Sequence, residues 1–143
     1  MVRSMELSDI PAVCEIEKQT GVCVWGVEGY REALSNEYVG LVYEKCGLVV
    51  GFIVAKFALE EVEILNLAVA PEWQRCGVGS QLVEACKELA KSKGVREIWL
   101  DVRKSNLKAR SFYEKHGFSV VFERRRFYRN PDEDAVVMMC RIE

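Results

Sequence analysis

Residues Leu65 to Leu82 read LNLAVAPEWQRCGVGSQL, and the segment changes character halfway along. Leu65 to Ala70 has the apolar composition of a strand, Pro71 ends it, and Gln74 to Gly79 (QRCGVG) leads directly into a helical pattern that starts near Ser80. A strand that enters a glycine-containing turn and opens a helix is an arrangement suited to anions. Glycine lets the backbone approach a ligand, and the unpaired amides of the first helical turn, reinforced by the helix dipole, point at negative charge. Arg75 adds a full positive charge. A tight strand-to-helix turn explains Gly77 and Gly79 equally well when they are taken alone.

Three phosphate-binding patterns compete for this loop. A nucleotide P-loop requires Lys followed by Ser or Thr after its second glycine, whereas Gly79 is followed by Ser80 and Gln81. A dinucleotide fold accommodates Gly77 and Gly79 and finds an acid, Asp101, about 20 residues on. Its third glycine position is Leu82, however, and the chain beyond Asp101 is too short for a doubly wound sheet. The third pattern is Gln or Arg, two variable positions, Gly, any residue, then Gly or Ala, and QRCGVG resembles it position for position. It is the pyrophosphate loop of the GNAT superfamily of N-acetyltransferases. A second stretch, DVRKSNLKARSFYEKHGF from Asp101 to Phe118, resembles the other signature of that superfamily. Within it the chain resembles ribosomal-protein-alanine N-acetyltransferases of RimI type and archaeal N-terminal acetyltransferases. This likeness spans nearly the whole chain, including ILNLAV at Ile64 to Val69, Arg124 to Arg126, Tyr128 and Glu133 to Ala135.

Outward from the loop, the patterning predicts one unit over residues 1–143. Ser8 and Asp9 before Pro11 start a helix that Gly21 closes, and a short helix over Val27 to Leu34 comes next. Tyr38 to Lys45 and Leu48 to Phe57 form a hairpin around Gly47, and Glu61 to Ala70 a third strand. Ser80 to Lys93 is a helix with Leu82, Cys86, Leu89 and Ala90 on one face and Gly94 beyond it. Glu97 to Val102 is a strand, and Ser105 or Asn106 caps a helix ended by Gly117. Phe118 to Tyr128 and Ala135 to Ile142 are closing strands joined through Asn130 and Pro131. The expected fold is α/β: a single GNAT-like domain with a mixed, mostly antiparallel twisted sheet flanked by helices.

Composition narrows the partners. Lys and Arg (20) nearly balance Asp and Glu (22), so no global field recruits nucleic acid or anionic lipid, and an anionic ligand must be held locally. Apolar runs such as Leu48 to Ala55 fall far short of the roughly 20 residues of a membrane helix, and the expectation is a soluble, cytoplasmic protein. The six cysteines show no CxxC spacing and there is one histidine, so neither a disulfide frame nor a zinc site is expected. All but Cys76 read as buried, reduced fillers. Cys76 is open between a small buried filler and, in its cationic loop, a redox-active thiol.

The GNAT resemblance implies roles. Leu67, Ala68 and Val69 would lie on a splayed strand whose backbone pairs with the pantetheine arm of acetyl-CoA, the co-substrate. Gln74, Arg75, Cys76, Gly77, Val78, Gly79 and Ser80 would hold the pyrophosphate. Asn106 would bind the cofactor or order the strands, a role compatible with capping a helix. Tyr113 would protonate the departing thiolate or at least donate a hydrogen bond to it, where an aromatic beside Phe112 at helical spacing would otherwise read as core packing. Two carboxylates compete as the base. Asp101 stands where RimI-type enzymes have glutamate, one methylene shorter. Glu63 matches the base position of related histone acetyltransferases, and strand alternation puts it on the side of Leu65 and Leu67. Each has a plainer reading of equal weight, Asp101 as a partner of Arg103 and Glu63 as a solvated charge. Where relatives carry Pro-Trp-Ser, this chain has Val24, Trp25 and Gly26, and it has Phe127 and Tyr128 for their paired tyrosines. Arg124 to Arg126 could attract an acidic peptide or ribosomal RNA, although solvation is the commoner fate of such a run. The expected activity is acetyl transfer to a protein or peptide N-terminal α-amine, with no metal, membrane or direct nucleic-acid partner. The alternatives are acetylation of a small-molecule amine and a non-catalytic acyl-CoA sensor.

Overall fold

In the computed structural model, residues 1–21, 25–36, 38–129 and 131–142 are described. Cys23, Val24 and Asn130 lie outside the described residues. The element order is β1 (Val2–Ser4), α1 (Ile10–Thr20), α2 (Gly26–Ser35), β2 (Val39–Lys45), β3 (Leu48–Phe57), β4 (Glu61–Val69), α3 (Val78–Ser92), β5 (Glu97–Arg103), α4 (Leu107–Lys115), β6 (Ser119–Tyr128) and β7 (Glu133–Arg141). Single 3-10 turns, Leu7–Asp9 and Pro71–Trp73, lead into α1 and follow β4. The strands form one sheet in the order β1-β2-β3-β4-β5-β7-β6. Only β4 and β5 pair in parallel; every other neighbouring pair is antiparallel.

The sheet has helices on both faces. Val78, Leu82, Val83, Cys86 and Ala90 of α3 and Tyr113 of α4 pack on one face with Val62, Ile64, Ile98 and Leu100. Ile10, Val13 and Ile16 of α1 and Tyr30 of α2 pack on the other with Phe52, Val54 and Ala68. Each Val, Leu, Ile or Phe among them contributes roughly 1.5–3 kcal/mol by leaving water. The patterning does not predict β1. Its three residues carry little periodicity, and Arg3 holds it in place through Asp9 (2.8 Å) and Glu44 (2.8 Å). The Arg3 guanidinium, more than any other neighbour, holds the Asp9 carboxyl below its ordinary range.

Two departures from regular strand geometry set the site. Opposite β3, Ala55 pairs with Ile64 but Val54 pairs with Asn66, so Leu65 is an inserted residue. Such a bulge reverses the alternation beyond it. Ile64 and Leu67 therefore both face α3 and α4, while Asn66 and Ala68 face α1 and α2. The expectation that Glu63 shares a side with Leu67 is thus incorrect, because it assumed an unbroken period of two. The second departure is between β4 and β5, whose pairing runs only from Glu61↔Glu97 to Glu63↔Trp99. Past that point the two strands separate and leave a wedge.

Candidate active site

The wedge opens two cavities. The larger, of about 850 Å³, lies on the side of α3 and α4. Ala70 N–H donates to Val50 in β3, so by alternation the peptide groups of Leu67 and Val69 face the opening, where the Gln74 side chain donates to the Val69 carbonyl (3.0 Å). At the other end the chain turns through Arg75 (φ 64°) and Gly77 (φ 83°), both left-handed, before α3 begins. Gln81 N–H is the amide that pairs with Gly77 O, which leaves the amides of Val78, Gly79 and Ser80 in the unpaired first turn. Gly51 of β3 brings this helix start close to the sheet. A Cβ there would stand 2.8 Å from Val78 Cγ1 and 3.2 Å from Leu82 Cδ1.

Leu67, Ala68, Val69, Gln74, Arg75, Gly77, Gly79, Ser80 and Asn106 all line this cavity. Two residues expected to hold the cofactor, Val78 and Cys76, are absent from this lining. Val78 is core, 3% exposed, because the first turn of α3 points it at Gly51. Cys76 is exposed rather than a buried filler, with its thiol directed at Gln74 O (3.6 Å). Cys46 is exposed too, in the hairpin turn at φ 53°, whereas Cys14, Cys86 and Cys140 are buried as expected. Among the described residues no cluster of His, Cys, Asp or Glu could hold a metal, and no helix is long and apolar enough to cross a membrane.

The second cavity, of about 580 Å³, opens on the α1 side of the wedge and holds Asp101, Asn66, Phe127 and Tyr128. It shares Thr20, Leu67, Asn106, Ala109 and Tyr113 with the first. Tyr113 therefore stands where the two spaces meet, its ring packed edge-on against Phe112 (5.2 Å) and Phe118 (5.5 Å). Burial, aided by Tyr128, raises its phenol far above the ordinary value, so it holds its proton. Asn106 is the N-cap of α4, its Oδ1 accepting from Ala109 N–H (3.1 Å).

Asp101 lies two residues beyond the last β4–β5 pair. Its Oδ1 accepts from Arg124 Nε (3.2 Å), not from Arg103. Arg103 has other work. It stacks on Tyr128 (4.6 Å), donates to the carbonyls of Arg129 and Pro131, and pairs with Glu133 (3.4 Å). Glu133 also accepts from Ser105 N–H (2.7 Å), and hydrogen bonding to Ser105, its side chain first and its backbone second, lowers the Glu133 carboxyl more than Arg103 does. These contacts fix Arg129, which lines the second cavity. Glu63 is exposed and lines neither space, because β4 and β5 are still joined at its level.

Sequence reasoning missed a buried network behind this wall. Glu17, 1% exposed, accepts from Trp25 N–H (2.8 Å) and Tyr30 Oη–H (2.6 Å), and Tyr30 Oη accepts from Asn66 Nδ2 (2.8 Å). It ties α1 and α2 to the bulged strand. The one available signal was a carboxylate at an apolar helical position, since Glu17 follows Ile10, Val13 and Ile16.

The donor set and shape fit acetyl-CoA: unpaired amides and Arg75 for phosphates at one end, an exposed strand edge for an extended amide-bearing arm at the other. Residues 10–118 match the model of the Acetyltransferase (GNAT) family. The chain is 34% identical over 143 residues to a [ribosomal protein bS18]-alanine N-acetyltransferase of Haemophilus influenzae, covering 98% of this chain and 97% of that protein. It superposes on the crystal structure of the ribosomal-protein-S18-alanine N-acetyltransferase from Escherichia coli with a TM-score of 0.92 at 30% identity, covering 100% of this chain and 94% of that one. Ard1 from Thermoplasma volcanium gives 0.90 at 28%, covering 100% and 97%. The chain belongs to the GNAT family of acetyl-CoA-dependent N-acetyltransferases.

Proposed function

We propose that residues 1–143 act as one acetyltransferase unit that transfers the acetyl group of acetyl-CoA to the N-terminal α-amine of a protein, with a ribosomal protein as the first candidate. The observation that carries this reading is the meeting, at Tyr113, of a cavity lined by cations and helix-start residues with a separate carboxylate-bearing cavity. The acceptor class follows that of the relatives, which are alanine N-acetyltransferases of ribosomal protein S18.

Bound acetyl-CoA supplies an activated carbonyl and a sulfur leaving group. Arg75 and the first-turn amides of α3 hold negative charge, and Gln74, Gly77, Gly79 and Ser80 shape that end of the cavity. Leu67 and Val69 offer peptide groups to the arm, with Ala68 and Asn106 on the wall. Tyr113 donates a proton from Oη toward the departing sulfur. Asp101 accepts the proton released by the amine, directly or through water, while Arg124 holds its Oδ1. Glu63 would need such a relay to reach the wedge, which favours Asp101.

Asp101→Asn and Glu63→Gln keep shape while removing basicity. Asp101→Asn should remove the low-pH limb of the kcat/KM profile and Glu63→Gln should leave it in place. The reverse result would move the base to Glu63.

An α-amine has a reference pKa near ~8 and lysine near ~10.4, a difference of roughly 3 kcal/mol in deprotonation. A single carboxylate half-occupied by Arg124 suits the easier amine. A peptide with a free N-terminus and blocked lysine should therefore be acetylated well ahead of the same peptide with the blocks exchanged. Faster acetylation of the lysine form, or of a small polyamine over both, would refute the N-terminal reading and leave the family assignment standing.

A further inference from the structure

His116, the one histidine in the chain, ends α4 and lines the larger cavity beside Ser80. Its Nδ1 lies 2.7 Å from Glu84 Oε2, and its Nε2 lies 3.0 Å from Ser80 Oγ. Ser80 belongs to the first turn of α3, next to the amides assigned to the pyrophosphate. The acetyl-transfer mechanism places Ser80 at the phosphate end of the cavity but makes no use of His116 or Glu84.

We propose that Ser80, His116 and Glu84 form a proton-linked clamp, in which His116 takes up a proton when the pyrophosphate of coenzyme A is held and so frees the Ser80 hydroxyl to donate to it. The proposal rests on the reading that the Arg75–Ser80 loop holds the pyrophosphate.

Hydrogen-bond inventory gives the direction. An ionised Glu84 is acceptor only, so His116 Nδ1 carries hydrogen in both charge states. In the neutral ring Nε2 is bare and must accept from Ser80, whose single proton is then committed to the ring. The oxygen lone pairs of Ser80 would face an incoming phosphate. In the imidazolium, Nε2–H donates to Ser80 Oγ, and the hydroxyl proton is free for the ligand. Protonation also adds a cation to the wall. Each event favours the other, and by linkage the coupling is reciprocal. Histidine is the side chain whose charge changes between about pH 5 and 8.

The surroundings permit this coupling. From α3, Glu84 favours the cation and Lys87, whose Nζ donates to His116 O (2.9 Å) and lies 3.6 Å from Glu84, opposes it. From β7 the Cys140 thiol donates to the same carbonyl (3.7 Å). On α4 the Phe112 ring packs on the imidazole (4.9 Å), and Lys108 and Lys115 line the cavity with Arg75 from the loop. The backbone of His116 is thus pinned, and the ring side chain is 13% exposed.

The test uses the whole protein and dephospho-coenzyme A, which has the pyrophosphate but lacks the 3′-phosphate that itself titrates near pH ~6. At pH 7 its addition should move the imidazole resonances of His116 toward their protonated positions, and pantetheine, which has no phosphate, should not. Affinity should be about 5-fold or more tighter at pH 6 than at pH 8. This dependence should be lost in His116→Gln and reduced in Ser80→Ala. Resonances that stay still or move the other way while the Gly77 and Gly79 amides respond would overturn the clamp, as would an equal shift with pantetheine or an unchanged pH dependence in His116→Gln. Binding that leaves the Gly77 and Gly79 amides undisturbed would instead displace the pyrophosphate from the loop, and the clamp with it.

Discussion

Gly77→Asp should produce a folded protein that no longer binds coenzyme A. Gly77 is left-handed at φ 83°, and a Cβ placed there meets nothing within 4 Å. The substitution therefore costs only the backbone strain of a non-glycine residue, about 1–2 kcal/mol, and Asp is among the residues that tolerate it. That is small against the roughly 5–15 kcal/mol by which domains are stable. The new carboxylate stands at the open first turn of α3. A unit charge at about 4 Å from a phosphate, at an effective dielectric of 20, is repelled by about 4 kcal/mol, or roughly a thousandfold in affinity. Gly77→Asn carries the same backbone cost without the charge, so calorimetry of the pair separates electrostatics from shape. Equal, near-native affinity in folded Gly77→Asp would remove the phosphate from this loop.

Tyr113→Phe should lower turnover by about 10²- to 10⁴-fold with a much smaller change in the Michaelis constant for acetyl-CoA. The ring is 9% exposed and wedged between Phe112 and Phe118, so phenylalanine preserves the packing and deletes one hydroxyl at the junction of the two cavities. A group that gives up its proton only as the C–S bond breaks acts on kcat more than on binding. Steady-state kinetics and a thermal melt decide the matter together. Near-native turnover with a lowered melting temperature would leave Tyr113 a core residue and pass the proton to another donor.

Local patterning carried most of the elements. Helices α1 to α4 and strands β2 to β7 fall within a few residues of their expected spans, because periods of two and 3.6, Gly21, Gly94 and Gly117 past helix ends, and the Asn106 cap are short-range signals. The turn from Gln74 to Gly79 was legible for the same reason: a left-handed glycine and the helix start after it are set by consecutive residues. β1 was not, since three residues make no pattern and its partner lies some forty residues away.

Other features depend on distance in sequence. The Leu65 bulge, which turns Glu63 away from Leu67, exists only because β4 is held in register with β3. β7, the last strand, inserts between β5 and β6, and so brings Arg124 to Asp101 and Glu133 to Arg103 and Ser105. The end of the β4–β5 pairing at Glu63 and Trp99 leaves Asp101 in the open wedge and Glu63 outside it. The chain's periodicities and turn residues thus specified its helices, its strands and the glycine turn into α3, all set by neighbours within a few residues. Which carboxylate faces the cavity, and that Ser80, His116 and Glu84 meet, emerged only from packing α3, α4 and seven strands together, because strand order, register and splay are properties of contacts between segments.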